Sequence, residues 1–213
     1  MKDGKDISAS VIGRLPRYYR FLCELHNSGT VRISSKELSQ KMGLTASQIR
    51  QDFNCFGGFG QQGYGYNVDQ LKKEMACILG LNEEKNAVMV GAGNLGRAIA
   101  SGMNFGEMGF RLTAIFDTAP DLIGGSIRGV PILDASTLQN FCKVSRPDMA
   151  VLCLPELQAP ETVEMLYAAG VRSFWNFSHY DIHRSIPEAN VANVHLSDSL
   201  MTLSYIINNS EDR

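Results

Sequence analysis

AVMVGAGNLG, residues 87–96, decides the fold. Ala87-Val88-Met89-Val90 is a short apolar run of the kind that forms a buried strand. It feeds Gly91-Ala92-Gly93-Asn94-Leu95-Gly96, a complete G-x-G-x-x-G, and Leu95, Ile99 and Met103 then mark one face of a helix. The next apolar run, LTAIFD, ends at Asp117, 21 residues beyond Gly96. Strand, glycine motif, helix, strand and terminal acid, in that order, are the context of a dinucleotide-binding βαβ unit. Gly91 permits the tight turn, Gly93 lets a pyrophosphate approach the backbone, and Gly96 lets helix and strand pack closely. The N–H groups around Ala92, Asn94 and Leu95 open the helix and favour phosphate. Asp117 would accept hydrogen bonds from the adenine ribose, and its charge repels a 2′-phosphate, so NAD(H) is expected over NADP(H). The alternative is the same fold with an empty site.

Downstream the alternation continues. Val130-Pro131-Ile132, Met149–Leu154, Arg172–Phe177 and Val191–Leu196 read as strands, and Ser136–Lys143 and Pro160–Ala169 as helices. This is an α/β pattern with a mostly parallel sheet. Ligands of such sheets lie at the carboxyl ends of the strands. That places Cys153-Leu154-Pro155 and Asn176-Phe177 at the expected nicotinamide end. Residues 197–208, SDSLMTLSYIIN, read as a last helix that is apolar nearly all round. Such a helix must be covered, by its own domain or by a partner subunit.

Upstream, residues 16–27 read as a helix with Tyr18, Phe21, Leu22 and Leu25 on one face, followed by Gly29. Ser34 with Glu37 fits a capping box for a short helix ending at Gly43. Thr45 opens another helix that runs to about Cys55. Two short helices joined by a Gly-containing turn point to helix-turn-helix. The second is the recognition helix, with Ser47, Gln48, Arg50 and Gln51 available to a DNA groove. FGGFGQQGYGY (56–66) reads as a hairpin wing turning at Gln61-Gln62-Gly63, its base anchored by Phe56, Phe59, Tyr64 and Tyr66. Asn67 caps a further helix, about 68–79. Arg14, Arg17, Arg20 and Arg50 are the candidate phosphate or base contacts, against a solvated helix face or an internal ion pair for each. The competing reading of the whole module is a small helical oligomerisation domain.

Charge separates the two modules. The 213 residues carry 20 Lys+Arg and 22 Asp+Glu, a net of −2, which taken whole argues against a strongly basic nucleic-acid binder. Residues 1–56 alone stand at 9 against 5, and residues 86–213 at 8 against 13. The basic surplus lies where the DNA reader is placed. Expected domains are 1–80 (winged helix), 81–195 (nucleotide binding) and 196–213 (terminal helix and tail). No apolar run reaches ~18 residues, and MKDGKDIS has no signal-type apolar stretch, so a cytoplasmic protein without membrane contact is expected. The five cysteines form no CxxC pair, and His179, His183 and His195 are interrupted by Pro187, so no disulfide framework or metal site is expected.

RLPRYYRFL (14–22), SSKELSQKMG (34–43), QIRQDFNCFGGFGQQGYGYNV (48–68), VGAGNLGRAIA (90–100), FDTAPDLIG (116–124) and HLSDSLMTLSY (195–205) together resemble the Rex family of redox-sensing transcriptional repressors. The resemblance runs from about residue 8 to 208. It implies a winged-helix domain, a Rossmann domain, and a homodimer whose C-terminal helix is swapped onto the partner. It also implies an inverted-repeat operator from which NADH releases the protein while NAD+ competes. Arg50 then lies in the recognition helix, Gly91, Gly93, Gly96 and Asp117 hold the dinucleotide, and Arg20 matches an arginine that couples the two domains. His195 stands where some members carry the aspartate that pairs with that arginine, with Asp198 nearby. Gly102 replaces a common tyrosine, Asn176-Phe177-Ser178-His179-Tyr180 replaces an NFAPV segment, and Gln61-Gln62 replace basic residues of the wing. The first three departures cluster near the nicotinamide and the domain interface, which leaves a family member with a weakened NADH response as an alternative.

An NAD-dependent oxidoreductase is the rival class. It would need a substrate pocket and an acid/base, yet residues 86–213 are nearly consumed by the core and no Tyr-x-x-x-Lys pair exists. A dinucleotide-binding adaptor that has lost DNA is a third reading.

Overall fold

The computed structural model describes residues 7–57, 59 and 64–210. The chain divides into two compact units between Asn82 and Glu83, and residues 196–210 fall within the second.

The first unit is helical. Helix α1 spans Ala9–Asn27 and buries Val11, Leu15, Tyr18, Leu22 and Leu25. It starts well before Pro16, where the sequence pointed to a helix beginning at that proline. The apolar stripe continues upstream through Leu15 and Val11, and its burial outweighs the one backbone bond that an interior proline removes. Helix α2 (Ser35–Met42) has the full capping box between Ser34 and Glu37 and ends at Gly43 in the left-handed region, φ 63°. Helix α3 (Ala46–Asn54) is opened by Thr45, whose hydroxyl accepts the N–H of Gln48. Helix α4 (Val68–Ile78) is opened by the Asn67 side chain. These are the expected caps, and they give a helix-turn-helix from α2 to α3.

Two short strands, β1 (Arg32–Ile33) and β2 (Tyr66–Asn67), pair antiparallel. The sequence placed β2 opposite a strand before the Gln61-Gln62 turn. Among the described residues β2 pairs with β1, which follows α1. Gln61 and Gln62 lie outside the described residues. The ribbon's aromatic base forms around Phe53, which receives Tyr18, Phe59 and Tyr66 edge-on at centroid distances of 5.0, 5.6 and 5.2 Å. Tyr64 is exposed rather than anchored.

The second unit is a seven-stranded sheet: β3 (Lys85–Val90), β4 (Phe110–Asp117), β5 (Ser126–Ile127), β6 (Val130–Asp134), β7 (Met149–Leu152), β8 (Ser173–Asn176) and β9 (Asn190–Asn193). The order is β5-β6-β4-β3-β7-β8-β9. All neighbours run parallel except β5 and β6, which form an antiparallel edge hairpin. Helices α5 (Asn94–Gly102), α6 (Leu138–Ser145) and α7 (Ala159–Ala168) make the crossovers. Because both faces are covered, β7 and the last four residues of β3 are continuous apolar runs, and Ala87 to Val90 and Met149 to Leu152 are buried. The strand order reverses at β3, which places the ligand crevice between β3 and β7. The last helix, α8 (Leu196–Asn208), contains no buried residue.

Candidate nucleotide site and DNA-reading face

Strand register assembles the candidate nucleotide site. Val90 stands opposite Phe116 on one side and Leu152 on the other, and Leu152 opposite Asn176. The residues that follow these positions therefore leave the sheet at one level: Gly91, Asp117, Cys153 and Phe177. The row is tied by Gly91 N–H to Phe116 O at 2.8 Å, Cys153 N–H to Val90 O at 2.8 Å and Phe177 N–H to Leu152 O at 3.0 Å.

Each glycine of the motif has a distinct physical demand. Gly91 has φ +100°, and a Cβ there would lie 2.2 Å from the Cys153 carbonyl oxygen. A Cβ at Gly96 would lie 2.0 Å from the Gly91 oxygen, so helix and turn touch without a side chain between them. Gly93 has open space where a Cβ would go, and it precedes α5 without supplying a side-chain cap. The first N–H groups of α5, from Asn94, Leu95 and Gly96, have no intrahelical acceptor and face a position suited to an anion. Asp117 accepts the N–H of Ala92 with Oδ2 at 2.6 Å and that of Ala119 with Oδ1 at 2.8 Å. A cavity of about 270 Å³ opens here, lined by Gly91, Gly93, Asp117, Cys153, Leu154 and Pro155. Thr118, Gln158 and Thr162 also line it. The sequence reading missed these three; the loop position of Thr118 beside Asp117 was the one signal for them. Burial pushes the Cys153 thiol up to about 12. A glycine cradle, open helix N–H groups and an anchored carboxylate fit a dinucleotide.

Asn176 is placed differently from expectation. It is fully buried, and its amide nitrogen donates to the Tyr180 carbonyl (2.9 Å) and to Asn193 Oδ1 (2.8 Å). Its oxygen accepts from the N–H (3.0 Å) and hydroxyl (2.7 Å) of Ser178. Its side chain thus clasps the 178–180 loop to β9 instead of reaching a ligand. Phe177 is half-buried and packs on Trp175 at 4.7 Å. His195 immediately precedes α8, with Nδ1 3.6 Å from Asp198 Oδ2, and its ring stacks on His179 at 5.2 Å. Among the described residues no group of three or more His, Cys, Asp or Glu is placed to hold a metal.

On the first unit, Ser47, Arg50 and Gln51 are exposed on α3. Asn54, which the sequence reading passed over, continues that stripe one turn on and is also exposed. Arg50 donates to Ser35 Oγ at 3.1 Å. Arg20 is exposed on α1. Two of the expected DNA contacts are turned inward. Arg14 forms a two-pronged ion pair with the buried Asp52, and Gln48 donates to the same carboxylate. Arg17 donates to the Met42 carbonyl. A buried carboxylate must be paired, and Asp52 takes the Arg14 and Gln48 side chains; an aspartate between Ile49 and Phe53 on a buried helix face was the signal for it.

A family model described as a putative DNA-binding protein N-terminus matches residues 6–54, and one described as a CoA binding domain matches residues 82–180. A curated relative from Clostridium botulinum (strain Hall), the redox-sensing transcriptional repressor Rex, is 49% identical over 212 residues, covering 99% of this chain and all of its own. The Clostridium tetani repressor of the same name is 48% identical over 213 residues, covering both chains fully. Among solved structures, RSP in complex with β-NAD+ and operator DNA superposes with a TM-score of 0.91 at 48% identity, covering 98% of this chain and 95% of that one. RSP in complex with β-NADH gives a TM-score of 0.89 at 46% identity, covering 98% and 97%. With identity of this order along its whole length, and with the glycine cradle and helix-turn-helix in place, the chain belongs to the Rex family of redox-sensing transcriptional repressors.

Proposed function

We propose that this protein is a transcriptional repressor that reads operator DNA with its first unit and the NADH/NAD+ ratio with its second. The observation that carries this is the pairing, in one chain, of an outward polar face on α3 with the glycine cradle closed by Asp117. Ser47, Arg50 and Gln51 face a DNA groove, and Gln61 and Gln62 serve as wing contacts. Gly91, Ala92, Gly93, Asn94, Leu95 and Gly96 hold the pyrophosphate, Asp117 the adenine ribose, and Cys153, Leu154, Pro155 and Phe177 the nicotinamide half. The bound dinucleotide supplies a ring whose charge differs between its two redox states. No catalytic residue is assigned: the relatives are repressors, and the chain works by binding.

The repressor acts as a homodimer on an inverted-repeat operator, in the cytoplasm with the DNA. Helix α8 exposes Leu200, Met201, Leu203, Tyr205, Ile206 and Ile207, too apolar a surface to be left in water. The second unit also carries an apolar groove of about 440 Å³ lined by Met103, Phe105, Phe110, Trp175 and Val191. Exchange of α8 between subunits would cover the helix. Arg20 on one unit and His195 with Asp198 on the other then couple nucleotide state to DNA affinity. The coupling is a population shift, in which NADH stabilises the form that releases the operator by its differential affinity for the two forms.

The test is a titration of a labelled inverted-repeat operator at varied NADH/NAD+ ratios and fixed salt. NADH should weaken operator binding at least ten-fold where NAD+ does not. An affinity indifferent to the ratio sinks the redox-sensing part, and no sequence-selective binding sinks the whole reading.

A further inference from the structure

Asp52 is 1% exposed, inside the apolar cluster of the first unit. Its two oxygens receive four hydrogen bonds. Arg14 Nε and Nη2 donate at 2.7 and 2.8 Å, the Tyr18 hydroxyl at 2.7 Å and Gln48 Nε2 at 3.1 Å. Two of the donors stand on α1 and one on α3, so the carboxylate is a directed link between the two helices. The packing beside it, Tyr18 against Phe53 and the burial of Ile49, is apolar.

The geometry points to Asp52 as a positioning residue for operator reading: by drawing Arg14, Tyr18 and Gln48 inward, it fixes the roll of α3 that presents Ser47, Arg50, Gln51 and Asn54 to the groove. This rests on the DNA-binding function proposed above. At ~100° per residue, positions 47, 50, 51 and 54 fall within an arc of about 100°, and position 52 lies about 150° from its centre. The link therefore sits nearly behind the reading face, where it controls rotation best. A second contact acts from the other side, since Arg50 is held by Ser35 at the start of α2. Burial works against the Asp52 charge, but the hydrogen bonds from Arg14, Tyr18 and Gln48 outweigh it and hold the carboxyl below its ordinary range. A buried ion pair of this kind is poor value for stability, because apolar replacements of like volume often fold as well. A defined orientation is the role that remains. Arg14 is thereby removed from the set of phosphate contacts, and Gln48 from the base readers.

The experiment uses the full chain and a duplex selected by the wild-type protein from a randomised pool, with a scrambled duplex as reference. The double variant Arg14→Met/Asp52→Leu should keep its helical signal and its NADH binding. Its preference for the selected duplex should fall at least ten-fold, and its salt dependence on the scrambled duplex should not change, because Arg14 touches no phosphate. Gln48→Ala, which removes one surface-proximal donor, should lose preference several-fold with unchanged melting; it decides the matter if the double variant does not fold. Full preference in folded Gln48→Ala or in the folded double variant overturns the proposal. So does a salt slope lowered by about one in Arg14→Met, the signature of a lost phosphate contact. A wild-type protein that selects no duplex overturns the DNA-binding reading instead, which keeps the two failures apart.

Discussion

The Asp117 carboxylate holds the N–H of Ala92 at 2.6 Å, so the acid at the end of β4 is also a strut of the glycine turn. Ala119 fixes its other oxygen. Each oxygen retains a lone pair for a ribose hydroxyl. Asp117→Asn places an amide donor against one of these backbone donors and removes the charge that repels a 2′-phosphate. NADH affinity should fall roughly 10- to 100-fold, the value of hydrogen bonds to a charged group. Preference for NADH over NADPH should shrink as well, read by calorimetric titration of both. Unchanged preference would remove Asp117 from the ribose site.

The glycines at 91 and 96 are tests of packing. At Gly91 an alanine would have to hold φ near +100° with its Cβ 2.2 Å from backbone, and at Gly96 the contact is 2.0 Å. Backbone strain and overpacking each cost ~1–3 kcal/mol. Gly91→Ala and Gly96→Ala should each lower the melting temperature by several degrees and abolish measurable NADH binding. Gly93→Ala meets no atom, so it should melt like the wild type and lose only nucleotide affinity, which separates fold from function within one motif.

Arg50 stands on the exposed stripe of α3 with one bond to Ser35. Arg50→Ala should weaken binding to the selected duplex by about 1–3 kcal/mol, or roughly 10- to 100-fold. Its melting temperature should stay within a degree or two, as for other surface substitutions. Fluorescence anisotropy against a scrambled duplex distinguishes loss of base reading, which falls on the selected duplex alone, from loss of a phosphate contact, which falls on both.

The nucleotide half was legible because its signals are local. The apolar run at 87–90, the glycine spacing at 91–96 and the acid at 117 all lie within one βαβ unit, and the caps at Ser34, Thr45 and Asn67 need only three following residues. What escaped is long-range or too short to carry a period. Strands β1 and β5 are two residues each, and no alternation can be read from two residues. The start of α1 was hidden because Pro16 looks like a helix opening, whereas Val11 and Leu15 continue the buried stripe above it. The roles of Asp52 and Asn176 depend on partners 34–38 and 17 residues away, and hydrogen-bonding residues at that separation leave no pattern. For the same reason the sequence leaves Arg14 open between a phosphate contact and an internal ion pair; Gln48 bonds Asp52 only four residues on, yet reads as a groove contact.

The cysteines divide by burial. Cys142 is buried and its thiol is pushed up to about 11, and burial pushes Cys153, beside the cavity, up to about 12. Cys55 and Cys77 are exposed. Native protein treated with iodoacetamide near pH 8 should label at Cys55 and Cys77 first, by peptide mass spectrometry, and NADH should slow any labelling of Cys153 further. The same two buried thiols predict a pH effect. Their folded pKa values lie above the unfolded value near 8.5, so the unfolded chain loses its protons first. Their contribution is complete below that pH and is lost as pH rises toward 11–12, by at most about 1.4 kcal/mol per pH unit and thiol. Cys142→Ala should flatten the alkaline fall in melting temperature; an unaltered alkaline limb assigns it elsewhere.

Helix α8 gives the last test. Leu203 and Ile206, one turn apart, are both about half exposed, and no residue of the helix is buried. If a second copy of the chain covers them, an aspartate at either position places a charge in an apolar interface without touching the protein's own core. Leu203→Asp and Ile206→Asp should therefore leave the melting of the individual units largely intact while converting a dimer into a monomer by sedimentation velocity. Two half-sites bound by separate monomers lose the advantage of linkage, so operator affinity should fall at least a hundred-fold. NADH should still bind, because the cradle at Gly91–Gly96 belongs to one chain. A dimer that survives both substitutions would place the interface away from α8.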